Sequence, residues 1–74
     1  MNKERRKKIT DAISAIEKIE SLIQNILDDE QEAYDNMPEG LQTSENGITS
    51  ENAQESLDSA IEALEEAISY LEEI

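Results

Sequence analysis

Carboxylates are the only abundant side chains in this sequence that could do chemistry. The chain of 74 residues has 19 Asp and Glu but neither His nor Cys. General acid–base catalysis needs carboxyl groups paired in a sheltered cleft, where their pKa values are shifted. These acids instead fall on the exposed sides of predicted helices, without a Gly-rich phosphate loop. We therefore expect no catalytic residues, no cofactor and no enzymatic activity.

Calcium binding is the second chemistry to test, because acidic residues precede Gly40. An EF-hand loop needs a glycine at about its sixth position and a Glu at about its twelfth. A loop that starts at Asp28 has Ala33 at the sixth position, and one that starts at Asp35 ends on Asn46. Neither register fits, and zinc lacks its usual thiolate and imidazole ligands. We expect no dedicated metal site.

The remaining candidate is an acidic binding surface. From Ile19 to Ile74 the chain carries sixteen acidic residues and no basic one, a net charge of −16 within an overall −13. Net charge of this kind governs solubility and the choice of partner rather than the fold. The predicted acidic binding surface consists of Asp28, Asp29, Glu30, Glu32, Asp35, Glu55, Asp58, Glu62, Glu65 and Glu66.

The spacing of these charges bears on what the surface could bind. Residues 28–35 place one charge per about 2.4 Å of helix, and residues 51–73 one per about 4.3 Å. A DNA strand has one phosphate per about 3.4 Å. The surface could therefore occupy a basic nucleic-acid groove on a protein, as a DNA mimic does. The alternative is that the acids only keep a small helical protein soluble.

The basic residues are concentrated in the segment Lys3–Lys8, which has a net charge of +4. In a folded-back structure this segment would lie beside Glu65, Glu66, Glu72 and Glu73, where it would offset their charge and the helix dipole. We favour that structural role over a nucleic-acid-binding arm, because one basic octapeptide on so acidic a body binds DNA poorly. We expect no direct nucleic-acid binding.

Chain length and apolar patterning restrict the architecture. We expect residues 1–74 to form a single domain, in which a lone core is marginal because a chain this short buries only about 60% of its surface. No apolar run approaches the ~20 residues of a membrane span. We expect a cytoplasmic protein without a membrane partner.

Two helices account for most of the sequence. In the second half, Leu57, Leu64 and Leu71 recur every seven residues, with Ala and Ile between them. In the first half, apolar residues follow the same three–four spacing up to Pro38. The pattern predicts an all-α fold, an antiparallel two-helix hairpin with helices at about 3–36 and 50–73. Thr49 or Ser50 is the expected N-cap of the second helix.

The connection between the helices contains the only Pro and both Gly residues of the chain. We expect a packed loop, in which Leu41 and Ile48 contact Tyr34 and Met37. The apolar stripes are broader than one partner helix covers, which predicts a homodimeric four-helix bundle. The predicted oligomer interface consists of Ile16, Ile19, Ile23, Leu57, Ile61, Leu64 and Ile68.

Residues 29–47, DEQEAYDNMPEGLQTSENG, followed by AIEALEEAI at 60–68, resemble a family of small acidic proteins. These are encoded by phages and prophages, chiefly of Gram-positive bacteria, and mostly have no assigned function. The resemblance covers nearly the whole chain and is most specific in the connection. It implies an infected or lysogenic bacterial host, and a protein that binds and inhibits a host defence or nucleic-acid-processing factor. The acidic body of the chain adds the expectation that this partner has a basic surface. The alternative is a structural or assembly protein that acts by homo-oligomerisation.

Overall fold

The computed structural model describes all residues from Met1 to Ile74 and is entirely helical outside its turns and ends. The elements are α1 (Lys3–Asp35), α2 (Glu39–Gln42) and α3 (Glu45–Glu72). The molecule is elongated and hairpin-like, with extents of 58 × 15 × 12 Å. The predicted all-α class is confirmed. No helix combines the length and the apolar character needed to cross a membrane.

Helix α1 begins and ends where local chemistry favours it. The Asn2 side chain accepts a hydrogen bond from the backbone N–H of Arg5 at 2.8 Å, so it satisfies one of the free donors of the first turn. Glu4 in that turn lies at the positive end of the helix dipole. The helix ends at Asp35, and Pro38 follows the turn. The observed range agrees closely with the predicted 3–36.

The predicted start of the second long helix at residue 50 is wrong. Helix α3 begins at Glu45 after Ser44, so Thr49 and Ser50 lie inside the helix and are not N-caps. The connection is also more ordered than a loop, because α2 forms within it. Ser44 is the N-cap residue of α3. Its backbone is extended, as an N-cap requires, but its hydroxyl donates to the Leu41 carbonyl and makes no capping hydrogen bond to α3.

A side-chain hydrogen bond and a close approach between two backbone segments hold the turn together. The Gln42 side-chain amide donates to the Tyr34 carbonyl at 3.0 Å, which ties the connection to α1. Gly47 is buried, and a Cβ added there would overlap the carbonyl group of Gln42. Leu41 and Ile48 are both exposed, so the expectation that they pack on Tyr34 and Met37 is wrong.

Helix α3 returns alongside α1. At the turn, the Tyr34 hydroxyl donates to Glu51 Oε1 at 2.6 Å. Farther along, Glu20 of α1 and Glu65 of α3 line the same groove. At the open end, Ile13 and Leu71 line one groove. The basic segment Lys3–Lys8 and the end of α3 therefore lie at the same end of the molecule.

The contact between α1 and α3 follows a strict three–four spacing, which is the seven-residue repeat of a coiled coil. We call the buried and half-buried residues at this spacing the seam. On α1 they are Ile9, Ile13, Ile16, Glu20, Ile23, Leu27, Glu30 and Tyr34, and the spacing continues to Met37 in the turn that follows. On α3 they are Gly47, Ser50, Gln54, Leu57, Ile61, Leu64, Ile68 and Leu71. Leu27 and Ile61, at 5% and 6% exposure, are the only buried large apolar side chains.

The seam contains most residues of the predicted oligomer interface. Ile16, Ile23, Leu57, Ile61, Leu64 and Ile68 are buried or half-buried between α1 and α3 of the same chain, whereas Ile19 is exposed. In the single chain these six side chains stabilise the contact between the two long helices. Their role in an oligomer remains a prediction.

Candidate interaction surfaces

The seam divides the surface of the molecule into two faces. A residue just beside the seam lies on one flank or the other, according to its place in the seven-residue repeat. Since the two helices run in opposite directions, equivalent places in the repeat fall on the same flank. The structure bears this out, because Glu17 and Ser21 of α1 line one groove together with Glu65, Ser69 and Glu72 of α3.

The flank that contains this groove is strongly acidic, and we call it the acidic face. Helix α3 contributes Glu51, Glu55, Asp58, Glu62, Glu65 and Glu72, whereas α1 contributes Glu17, Asp28 and Asp35. All of these residues are exposed. The row from Glu51 to Glu65 places one carboxylate per about 5 Å of helix, wider than the ~3.4 Å phosphate spacing of a DNA strand. Asp28 and Asp35 lie alongside that row and increase its density.

The structure does not bring all residues of the predicted acidic surface onto one face. Six lie on the acidic face, namely Asp28, Asp35, Glu55, Asp58, Glu62 and Glu65. Glu32 and Glu66 lie on the outer surfaces of their helices, farthest from the seam. Asp29 lies on the opposite flank, and Glu30 is half-buried in the seam. Glu17, Glu51 and Glu72 were missed, although extending the leucine repeat along both helices would have placed them on this face.

Glu20 is the electrostatic irregularity of the seam. It occupies a position where its neighbours in the repeat are isoleucines, and it is half-buried. Partial burial raises the pKa of the Glu20 carboxyl above its ordinary 4.5, and the charge and hydrogen bond of Glu65 and the charge of Glu17 raise it further. No basic side chain lies within ion-pair distance of it. Like charges therefore meet at this level of the seam.

These carboxylates do not assemble into a metal site. Nowhere in the chain do three or more of them converge in a way that could hold an ion. The Glu20 and Glu65 pair is a local concentration of charge on the rim of the acidic face. The assignments of no metal, no cofactor and no catalytic residue remain predictions.

Tyr34 fixes the acidic face at the turn. Its hydrogen bond to Glu51 raises the pKa of the phenol above its ordinary 10.0, and partial burial and the charges of Glu51 and Asp35 add to the effect. Tyr70 makes a comparable bond to Glu66 at 3.2 Å, but within a single helix turn. Only the Tyr34 bond joins the two long helices.

The basic segment pairs mainly with its own helix. Lys8 lies 4.0 Å from Glu4 and Lys7 lies 3.9 Å from Asp11, both as exposed pairs one turn apart. Arg6 lines a groove with Glu72 at the open end, but no ion pair joins them. The basic segment therefore lies near the end of α3, as expected, but forms no ion pair with it.

The opposite flank lacks this charge, and we call it the apolar face. It is defined by Ile19, Leu22 and Ile26 on α1 and by Ala60, Ala63 and Ala67 on α3. Ile19, Leu22 and Ile26 are 48%, 62% and 54% exposed, which is unusual for three large apolar side chains one turn apart. An exposed row of this kind is typical of a surface that contacts another molecule.

Comparisons with protein-family models, curated proteins and solved structures gave no significant match. Function therefore has to be inferred from the sequence and from the acidic face and the apolar face.

Proposed function

We propose that this chain is a non-enzymatic binding protein whose acidic face engages a protein partner with a basic surface. The observation that carries the proposal is the row from Glu51 to Glu65, which continues across the molecule to Asp28 and Asp35 without an intervening basic residue. Such a field steers a basic partner toward one side of the molecule and repels acidic partners and nucleic acid.

The resemblance to small acidic phage and prophage proteins supports a more specific form of the proposal. In that form the protein acts in the cytoplasm of an infected or lysogenic bacterium, where it inhibits a host defence or nucleic-acid-processing factor. Occupation of a basic nucleic-acid groove by the acidic face would be the mechanism. The carboxylate spacing supports this, since it is of the same order as the phosphate spacing of DNA.

A second function is favoured by the apolar face. In this alternative the protein has a structural or assembly role, acts through homo-oligomerisation, and needs its acids only for solubility. The exposed row formed by Ile19, Leu22 and Ile26 supports it. We also propose that the fold is an antiparallel two-helix hairpin that a second copy completes as a four-helix bundle. Both functions are compatible with such a dimer.

A displacement assay separates the two functions. A basic, histone-like DNA-binding protein is loaded with a fluorescent duplex, and the release of the duplex by the acidic chain is followed by polarisation. The test variant is Glu55→Gln/Glu62→Gln/Glu65→Gln, which neutralises the acidic face. The control is Glu32→Gln/Glu66→Gln/Glu73→Gln, which removes the same charge from the outer surfaces.

The binding function predicts that the test variant needs about tenfold more protein for release, equivalent to about 1.4 kcal/mol. The control should stay close to the unmodified chain. Release should also weaken as salt screens the exposed charges over about 8–10 Å. Equal behaviour of the two variants, or no release by the unmodified chain, would favour the structural alternative. Affinity purification from the native host with mass spectrometry would then identify the partner.

A further inference from the structure

The apolar face has a shape that complements itself. Glu20 and Glu65 line one groove, and Tyr34 bonds to Glu51, so residues at the same level along α1 and α3 have numbers that sum to about 85. Ile19, Leu22 and Ile26 therefore lie level with Ala67, Ala63 and Ala60. One half of the face is a ridge of large side chains, and the other half is a trough of alanines at matching heights.

We propose that a second copy of the chain covers this face, related by a two-fold axis parallel to the helices. Such an axis places α1 of each copy over α3 of the other. It leaves the position of every residue along the helix direction unchanged. Ile19, Leu22 and Ile26 of one copy then pack on Ala67, Ala63 and Ala60 of its partner, and the contact is repeated by symmetry. This inference assigns a face and an axis to the bundle proposed above and does not depend on the acidic face.

The other face-to-face arrangement has its two-fold axis perpendicular to the helices. It would stack α1 on α1 and α3 on α3, so that large side chains meet large ones and alanines meet alanines. One side of that interface would be overpacked and the other would contain voids, and both defects are destabilising. The parallel axis avoids both, because each ridge meets a trough.

Charge also selects a second copy as the occupant. Each chain carries −13, yet its acidic face lies on the side away from the apolar face. In the proposed dimer the two acidic faces point outward, separated by the thickness of two molecules, each at least 12 Å. That separation exceeds the ~8 Å Debye length at physiological ionic strength, so the repulsion is largely screened. A basic partner would be drawn to the acidic face instead.

The size of the apolar face is adequate for a dimer. The alanine and isoleucine pattern runs from Ala12 to Ala33 on α1 and returns along α3 from Ala53 to Ile74, just past the end of that helix, a length of about 33 Å on each side. Two helices side by side over that length offer an area comparable to the ~800 Å² per partner of a standard interface. Asp29 is the one acid on this flank within that range, and the register places it near Ser56 of the other copy.

Sedimentation equilibrium tests the use of this face. The unmodified chain should have twice the 8.3 kDa mass of one chain. Leu22→Asp should halve that mass while helicity by circular dichroism is retained, since Leu22 is exposed in the single chain. Ala63→Glu on the opposite half should do the same. The matched control is Ile48→Asp, because Ile48 is similarly exposed but lies outside the apolar face.

A monomeric unmodified chain would overturn the proposal and leave the apolar face to a different protein. A dimer that persists in both Leu22→Asp and Ala63→Glu would overturn the assignment of the face. Either result would leave the displacement assay of the acidic face intact, so the two failures are distinguishable.

Cross-linking tests the orientation of the two-fold axis. Since the chain has no cysteine, only the introduced thiols can react. Leu22→Cys and Ala63→Cys chains are mixed, allowed to exchange and treated with a short thiol cross-linker. The parallel axis predicts a cross-link between the two different variants and little within either variant alone. Efficient cross-linking of Leu22→Cys chains to one another would overturn the proposed axis.

Discussion

The acidic face and the apolar face are built from the same two helices, yet they differ in almost every property that governs binding. Glu55 and Glu62 line one flank of the seam, whereas Ala60 and Ala63 line the other within a single turn of α3. The difference shows that position relative to the seam, rather than overall composition, determines what each part of this surface can contact. Although the chain has a net charge of −13, its apolar face is nearly uncharged.

Both faces depend on a seam that is weak for its length. Leu27 and Ile61 are its only buried large apolar side chains, and neither is fully buried. The turn end of the seam is filled by small or polar residues such as Gly47, Ser50 and Gln54. Such a contact keeps the two helices in register but contributes only a small free energy of unfolding. Changes in the seam should therefore abolish both faces, whereas changes on one face should spare the other.

The largest effect is expected from Ile61→Asp. Ile61 is 6% exposed, so the new carboxylate would be buried without a partner at a cost of about 3–5 kcal/mol. We expect the chain to lose its helical structure, and with it both faces, as measured by circular dichroism. Ile48→Asp is the control, since it places the same group at an exposed position near the start of α3. A helical Ile61→Asp chain with unchanged thermal unfolding would refute the role given to the seam.

Gly47→Ala should have the next largest effect. Its new Cβ would overlap the Gln42 carbonyl, so the connection must move away from α3. The loss should exceed the ~1 kcal/mol that alanine otherwise gains over glycine inside a helix. Gly40→Ala is the matched control, because nothing lies within 4 Å of its added Cβ and a small stabilisation is expected. Urea unfolding measures both, and equal changes in the two variants would contradict the close approach at Gly47.

The dependence of stability on pH tests the like-charge contact of Glu20 in the seam. A raised pKa means that the folded state binds the proton more tightly, so this contribution to stability is present below about pH 4.5 and is lost as the pH rises through the folded-state pKa. Glu20→Gln should therefore raise the melting temperature at neutral pH and flatten its dependence on pH in the acid range.

Glu32→Gln is the control for this prediction, because it removes the same charge from the outer surface of α1. It should change the pH response less than Glu20→Gln does. If the two variants had the same pH profile, the stability gained on acidification would be a property of the overall charge and not of the Glu20–Glu65 contact.

The smallest effect is expected from Tyr34→Phe. The change keeps the aromatic ring but removes the hydrogen bond that the Tyr34 hydroxyl on α1 donates to Glu51 on α3. Tyr70→Phe removes a bond within α3 alone and serves as the control. We expect a modest fall in melting temperature for Tyr34→Phe only, together with faster amide exchange at the turn. A larger loss in Tyr70→Phe would contradict the role of Tyr34 in closing the turn.

The sequence predicted the long helices because their apolar spacing is a local property. It did not predict the start of α3, since Gly47, Thr49 and Ser50 have the composition of a turn. A glycine is needed at position 47 because the Gln42 backbone lies against it. That close approach arises where α2 turns into α3, and the apolar spacing does not indicate it. Extending the repeat of Leu57 backward to Gln54, Ser50 and Gly47 would have indicated a longer helix.

The candidate surfaces were predicted less well for a related reason. Which acids share a flank depends on the register of the two helices, and the breadth of an apolar stripe does not fix that register. Asp28 and Asp29 are neighbours in sequence but lie on opposite flanks, and Ile23 lies in the seam whereas Ile19 lies on the apolar face. Once α1 and α3 are paired, each residue is assigned to a flank without ambiguity.

Salt separates the two faces most directly, through sedimentation equilibrium of the unmodified chain between ~0.1 M and ~1 M salt, where the Debye length falls from about 10 Å to about 3 Å. Self-association through the apolar face should persist or strengthen, because screening reduces repulsion between chains of charge −13. The mass should stay at twice 8.3 kDa throughout. A fall to the single-chain mass at high salt would contradict this account, since it would mean that Lys3–Lys8 of one copy binds the acidic face of another.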